Sequence, residues 1–113
     1  MITLYGISNC DTVKKAQKWL DANNVSYTFH DFRKDGIEET QVSQWLDTLG
    51  WEKVVNKRST TWRGLSDDKK ANMDAELALS EIMVQPTLIK RPVLDDGQSI
   101  MIGFSDKQYQ ALV

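Results

Sequence analysis

Within its first 32 residues the chain passes from an apolar run through a helical period to an alternating run, and this order constrains the fold more than any other feature. Ile2-Thr3-Leu4-Tyr5 is a β-type run ended by Gly6. Val13, Ala16 and Leu20 then recur at helical spacing, and the stretch from Val25 to Phe32 alternates, with Val25, Tyr27, Phe29 and, by the same count, Asp31 on one face. Strand, helix and strand over this length make a βαβ unit, whose crossover helix implies parallel strands and a right-handed connection. The helix is expected over Asp11 to Ala22, with Lys14, Lys15 and Lys18 on its wet side and Asn23-Asn24 as its stop.

Beyond the polar turn Arg33-Lys34-Asp35-Gly36 the period is helical from Ile37 to Leu49, carried by Val42, Trp45, Leu46 and Leu49. Gly50 fits its end, and Trp51, Val54 and Val55 suggest a short helical turn packed against it. Asn56 to Leu65 is basic and rich in hydroxyls, with little apolar periodicity. A weak helix over Asp67 to Met73 and a stronger one over Asp74 to Met83 follow, with Met73, Leu77 and Ile82 inward, and Pro86 ends the second. Val93-Leu94, the turn Asp95-Asp96-Gly97 and Ile100-Met101-Ile102 make a hairpin. Ser105 can cap a last short helix over Lys107 to Leu112, with Tyr109 and Leu112 inward. This order is that of an α/β, thioredoxin-like fold: a four-stranded mixed sheet, with a helical insertion at about residues 37–85 between the βαβ unit and the C-terminal hairpin and helix. At 113 residues the chain suits a single domain, 1–113.

The only cysteine, Cys10, falls where the first strand gives way to the helix. Open backbone N–H groups and the positive end of the helix dipole stabilise an anion at such a place, and thiols so positioned have their pKa lowered from about 8.5 into a range of roughly 3.5–7.5. Lys14, one helical turn on, adds positive charge, and Asp11 opposes it. Taken alone, the pattern fits a buried structural cysteine equally well, because free Cys is among the most buried residue types. One cysteine excludes an intramolecular disulfide and a C-x-x-C dithiol, Val13 standing where the second thiol would be, so any resolving thiol comes from elsewhere.

A hydrophobic share of 41% and a charged share of 27% are ordinary for a folded domain, and they exclude disorder. The net charge of −2 gives no general drive toward nucleic acid or an anionic membrane, so basic sites must be local. No apolar run approaches the roughly 18 residues of a membrane span and no signal segment leads the chain, so a cytoplasmic protein is expected, and a monomer. Cys10 and the single His30 form no ligand cluster, so no metal is expected.

Several motifs in a fixed order, spread over essentially the whole chain, resemble the arsenate reductase-like (ArsC) family, in particular its small YffB-like branch. They are Leu4-Tyr5-Gly6, Asn9-Cys10-Asp11-Thr12 with Lys14-Lys15-Ala16, Arg58-Ser59-Thr60-Thr61-Trp62-Arg63 with Leu65, Lys90-Arg91-Pro92, and Gly103-Phe104-Ser105-Asp106. The resemblance implies a nucleophilic Cys10, a basic Lys14 one turn above it, and an anion-binding Arg91 beside a cis Pro92. Asn9 and Thr12 would hold the loop. Arg58 is the choice for a further anion-binding arginine, with Lys57 and Arg63 as neighbours that could serve instead.

Two departures bear on the substrate. The arsenate reductases of this family carry a histidine where this chain has Gly6, and a pocket arginine falls near Phe104. The loss of both argues against arsenate, and favours a thiol substrate whose carboxylates meet Arg58 and Arg91. The expectation is a thiol-dependent oxidoreductase of monothiol type with no bound cofactor. Glutathione would be its co-substrate, and Cys10 would form a mixed disulfide or glutathionyl adduct with a glutathionylated or oxidised partner. An external thiol, glutathione or a glutaredoxin, would resolve the adduct. The rival is an Spx-type transcriptional adaptor, which binds RNA polymerase without catalysis and which Arg58-Ser59, Arg91-Pro92 and the hairpin also resemble. Trp62 could serve packing or substrate contact, Trp45 and Trp51 read as core, and His30 as a satisfied strand-end residue.

Overall fold

The computed structural model describes every residue from Met1 to Val113. Two compact units emerge, one made of Met1–Gly36 with Arg91–Val113 and the other of Ile37–Lys90. In the first, β1 (Thr3–Gly6), α1 (Asp11–Ala22) and β2 (Thr28–Asp31) form the βαβ unit. The strands β3 (Val93–Asp95) and β4 (Ile100–Ile102) complete the sheet, and α7 (Asp106–Tyr109) follows, running on into a 3-10 turn over Gln110–Leu112. The sheet order is β2-β1-β3-β4, with β1 parallel to β2 and antiparallel to β3, and β3 antiparallel to β4. This is the expected mixed thioredoxin-like sheet.

Leu4 of β1, Leu94 of β3, Ala16 and Leu20 of α1 and Tyr109 of α7 form one fully buried cluster, so both helices lie on the same face of the sheet. Val25, Tyr27 and Phe29 pack against it, which is the face their alternation assigns them. α1 forms because Val13, Ala16 and Leu20 make a single apolar stripe, and it stops where Asn24 turns to φ 56°. The second strand is shorter than its alternation over Val25 to Phe32 implies, because Val25 N–H is drawn back to the Leu20 carbonyl (2.9 Å) and pairing with β1 begins only at Thr28. Gly6 is required by close packing: a Cβ there would stand 2.7 Å from Cγ2 of Val13, which is itself fully buried and stiff at χ1.

The second unit holds α2 (Glu39–Leu49), α3 (Trp51–Val54), α4 (Thr60–Arg63), α5 (Asp67–Ala71) and α6 (Ala75–Val84), then a 3-10 turn over Pro86–Leu88. Trp45 and Ile82 are fully buried, on two helices, α2 and α6, that pack on each other. The unit closes on itself through Asn56 N–H to the Leu88 carbonyl and Lys90 N–H to the Val54 carbonyl, each 2.8 Å, on either side of the Val55–Ile89 bridge. α4 lies where the sequence shows little apolar periodicity. It is a single turn with no buried residue, started by Ser59, whose Oγ accepts from Trp62 N–H at 3.1 Å.

Tyr109 carries a buried hydroxyl with no hydrogen-bond partner, while its ring lies edge-on to Trp19 (5.5 Å) and Phe104 (4.8 Å). A donor buried without a partner costs about 1–3 kcal/mol, so Tyr109→Phe should raise stability by about 1 kcal/mol in urea denaturation. Gly6→Ala should lower it by about 1–3 kcal/mol in the same measurement, because neither the Val13 side chain nor β1 can yield freely.

Candidate active site

Cys10 is the N-cap residue of α1, with extended backbone (φ −99°, ψ 125°) and a half-buried side chain. Its carbonyl accepts the first helical bond, from Lys14 N–H at 3.0 Å. The helices α4, α5, α6 and α7 each begin at a Ser or Asp whose oxygen accepts from the N–H three residues on. α1 begins at Cys10 without a side-chain cap, so the thiol stands where those helices carry an acceptor oxygen. A sulfur anion in that place would take over the acceptor's role.

The turn that delivers Cys10 is closed by its own N–H to the Ile7 carbonyl at 3.3 Å. Asn9 is exposed in this turn, Thr12 is half-buried in the first turn of α1, and Lys14 is exposed one turn above the thiol. The β1–β3 ladder ends with Tyr5 opposite Val93, so the chain leaving β1 and the chain entering β3 meet the sheet at the same end. The Pro92 carbonyl accepts from Gly103 N–H at 2.9 Å, which extends the β3–β4 ladder to the same level. The Arg91-Pro92 bond is cis, with Pro92 buried and Arg91 half-buried. Six of the expected site residues, Asn9, Cys10, Thr12, Lys14, Arg91 and Pro92, thus belong to the first unit, and its sheet brings the cysteine turn and the Arg91-Pro92 step to one end.

Arg58 belongs to the Ile37–Lys90 unit. It is exposed ahead of α4, where its N–H donates to Asn56 Oδ1 at 3.0 Å. In the same unit Trp51 stacks on Trp62 (6.3 Å, 16°) with Lys57 Nζ over both rings, at 5.0 and 5.9 Å. That arrangement occupies Lys57 and gives Trp62 an intramolecular partner. His30 Nε2 contacts the Gly36 carbonyl at 2.8 Å, so this nitrogen carries the proton, and the ring lies 5.0 Å from Tyr5.

Asp31 was not expected among the site residues. It is only 4% exposed at the end of β2, in register with Gly6 of β1. Its Oδ1 accepts from Arg33 N–H at 2.8 Å and Lys34 N–H at 3.4 Å, both in the turn that follows β2. Burial pushes the Asp31 carboxyl up, but these donors together outweigh it and hold it below the ordinary carboxylate value. The signal available in sequence was its place on the apolar face of an alternating run, where a carboxylate needs donors.

A mixed sheet of this order with its only thiol at the start of the first helix defines a thioredoxin-like fold of the arsenate reductase type. The sequence profile of the ArsC family matches residues 5–112, and the chain belongs to that family. An uncharacterised protein of Haemophilus influenzae is 52% identical over 112 residues, 98% of this chain and 97% of its own. A solved YffB protein structure, 41% identical, superposes with a TM-score of 0.93 and covers 98% of this chain and 97% of that one. The global transcriptional regulator Spx 2 of Bacillus anthracis is 28% identical over 114 residues, 96% of this chain and 83% of its own.

The Asp31 carboxyl, lowered in the native state, gives stability that is fully present above the unfolded value of 3.8 and is lost as pH falls below it through the native value. Asp31→Asn should therefore be less stable than wild type near neutral pH, and the gap should narrow in denaturation curves taken at successively lower pH below about 4. A gap independent of pH would show that the ionised carboxylate is not what these donors stabilise.

Proposed function

We propose that the chain is a monothiol reductase that uses Cys10 as its nucleophile and glutathione as its co-substrate. One observation supports this above the others: the only thiol sits at the N-cap position of α1, where no side chain caps the helix, at the end of the sheet that also holds the Arg91-Pro92 step ahead of β3. In the first step the Cys10 thiolate attacks the glutathione sulfur of a glutathionylated substrate, forms the Cys10–glutathione disulfide and releases the substrate thiolate. In the second step the thiolate of another glutathione, or of a glutaredoxin, attacks that sulfur, forms a new disulfide and returns Cys10 as thiolate. Each step makes one S–S bond and breaks one, and the reducing equivalents come from the external thiol. Lys14 and Arg91 would bind glutathione's carboxylates, and Asn9, Thr12 and Pro92 would keep the loop in place.

The structure also bears on the departures from arsenate reductases. A histidine at Gly6 would have to displace the buried Val13 side chain, and Phe104, which falls near a pocket arginine of that group, packs into the core against Tyr109. Both positions serve packing in this chain, which agrees with a substrate other than arsenate.

The likeness to the Spx 2 regulator over nearly the whole chain favours a second reading, an adaptor that binds RNA polymerase without chemistry. Two measurements separate them. Under the reductase reading, iodoacetamide alkylates Cys10 faster than a short peptide thiol, and glutathione shifts the amide signals of residues 9–14 and Arg91. Arg91→Ala weakens glutathione binding about tenfold or more, the worth of a charged hydrogen-bonded pair. Cys10→Ser forms no glutathione adduct by mass spectrometry. A thiol of ordinary reactivity, no response to glutathione and retention of the polymerase α subunit on the immobilised protein would decide for the adaptor.

A further inference from the structure

We infer that Arg33 and Lys34, on the turn after β2, are specificity-determining residues for Cys10: their charges draw anionic disulfides to the thiol and hold off cationic ones.

β1 and β2 are parallel, so both leave the sheet at the same end, and it is outside the carboxyl ends of such strands that α/β sheets take their ligands. Cys10 ends the turn that follows β1, and Arg33 and Lys34 lie on the turn that follows β2. The two turns are tied at their roots. Asp31 is the register partner of Gly6, and Phe32 N–H donates to the Gly6 carbonyl at 2.9 Å. The bond from Cys10 N–H to the Ile7 carbonyl then closes the first turn at 3.3 Å. Followed through these bonds, the Cα atoms of Arg33 and Cys10 stand no more than about 18 Å apart, inside the reach of about 30 Å that a charge has at 0.01 M salt.

The second turn is fixed by its main chain. Arg33 N–H (2.8 Å) and Lys34 N–H (3.4 Å) donate to Asp31 Oδ1, Asp31 N–H donates to Asp35 Oδ2 at 3.0 Å, and Asp35 N–H to the Asp31 carbonyl at 2.7 Å. The Arg33 and Lys34 side chains take no part in this closure. Both residues are exposed, and neither side chain is held in an ion pair.

A net charge of −2 gives the whole chain no attraction for an anion, so any attraction is local. Counted through the first turn of α1, this end of the first unit carries Lys14, Arg33, Lys34 and Arg91 against Asp11, Asp31 and Asp35. Without Arg33 and Lys34 the carboxylates would outnumber the cations, so these two residues set the sign of the local field. The role rests on the proposed function in taking Cys10 as the thiol that meets disulfides. The rival is that Arg33 and Lys34 are solvated turn residues whose charge is not felt at the thiol.

The test follows mixed-disulfide formation at Cys10 by mass spectrometry in the full chain, with three disulfides in excess: the anionic glutathione disulfide, the neutral 2-hydroxyethyl disulfide and the cationic cystamine. In each, the Cys10 thiolate attacks one sulfur, forms one S–S bond, and the other half leaves as thiolate. Rates are divided by that of the neutral disulfide, so any change in the thiolate fraction cancels. Wild type is compared with Arg33→Gln and Lys34→Gln, singly and together, each verified as folded by near-ultraviolet circular dichroism. At 0.01 M salt the double variant should lower the glutathione disulfide ratio about threefold to fivefold and raise the cystamine ratio by a similar factor. Both changes should vanish in 1 M salt, where charges are screened within about 3 Å. Unchanged ratios, or ratios that move in the same direction for both charged disulfides, would overturn the role. If the double variant does not fold, the single variants decide by the same opposed shifts, each smaller. If wild-type Cys10 reacts with every disulfide no faster than a peptide thiol, the reductase reading fails, and the ratios still decide whether Arg33 and Lys34 act on it.

Discussion

β1 is hydrogen-bonded along both edges, to β2 in parallel and to β3 in antiparallel register, and each part of the thiol site in the first unit takes its position from that strand. A four-residue strand held on both sides cannot slip, because a shift of one residue would move Leu4 out of the core and Tyr5 into it. Past Gly6 the chain must leave the sheet, reverse and start α1, and Gly6 lets Val13 of α1 approach the strand backbone within van der Waals contact. The same pairings place Asp31 beside Gly6 and bring the Arg91-Pro92 step, just ahead of β3, to the same end of the sheet. The site is thus a product of sheet pairing, and the side chains that would do chemistry are attached to its end.

Much of this was legible in the sequence because the fold is built from patterns that local physics reads well. The stripe Val13, Ala16, Leu20 gave α1 its observed limits, Asp11–Ala22, and Asp95-Asp96-Gly97 marked the hairpin turn now seen with Gly97 at φ 91°. The alternation from Val25 assigned the correct face to Tyr27 and Phe29 but overstated the strand, since strand length is set by the partner, and β1 offers only four residues. α4 escaped because a single turn with no buried side chain leaves no apolar period, although Ser59 three residues before Trp62 was a capping signal.

The candidate site was legible in a different degree. Cys10 and Lys14 follow from one helix and one spacing, and Arg91 and Pro92 from a motif whose place in the sheet depends on long-range pairing. Asp31 could be assigned to a face, but not to a role, because its donors are main-chain N–H groups of Arg33 and Lys34, which meet it only once the turn after β2 has formed. Tyr109 shows the same limit in the core: its period placed the ring inward, and nothing local indicated that its hydroxyl would lack a partner.

The two departures from arsenate reductases have a common physical consequence. A small tetrahedral oxyanion concentrates its charge on one centre, so holding it in water's place needs several donors converging within hydrogen-bond distance of a few oxygens. In this chain, two positions that carry such groups in those enzymes are committed to packing. Gly6 is closed off by Val13, and Phe104 lies edge-on to Tyr109 in the core. Restoring either group would cost the core contact that now occupies the position. Glutathione makes a different demand, since its two carboxylates are separated along the tripeptide and each needs only one or two cations near it.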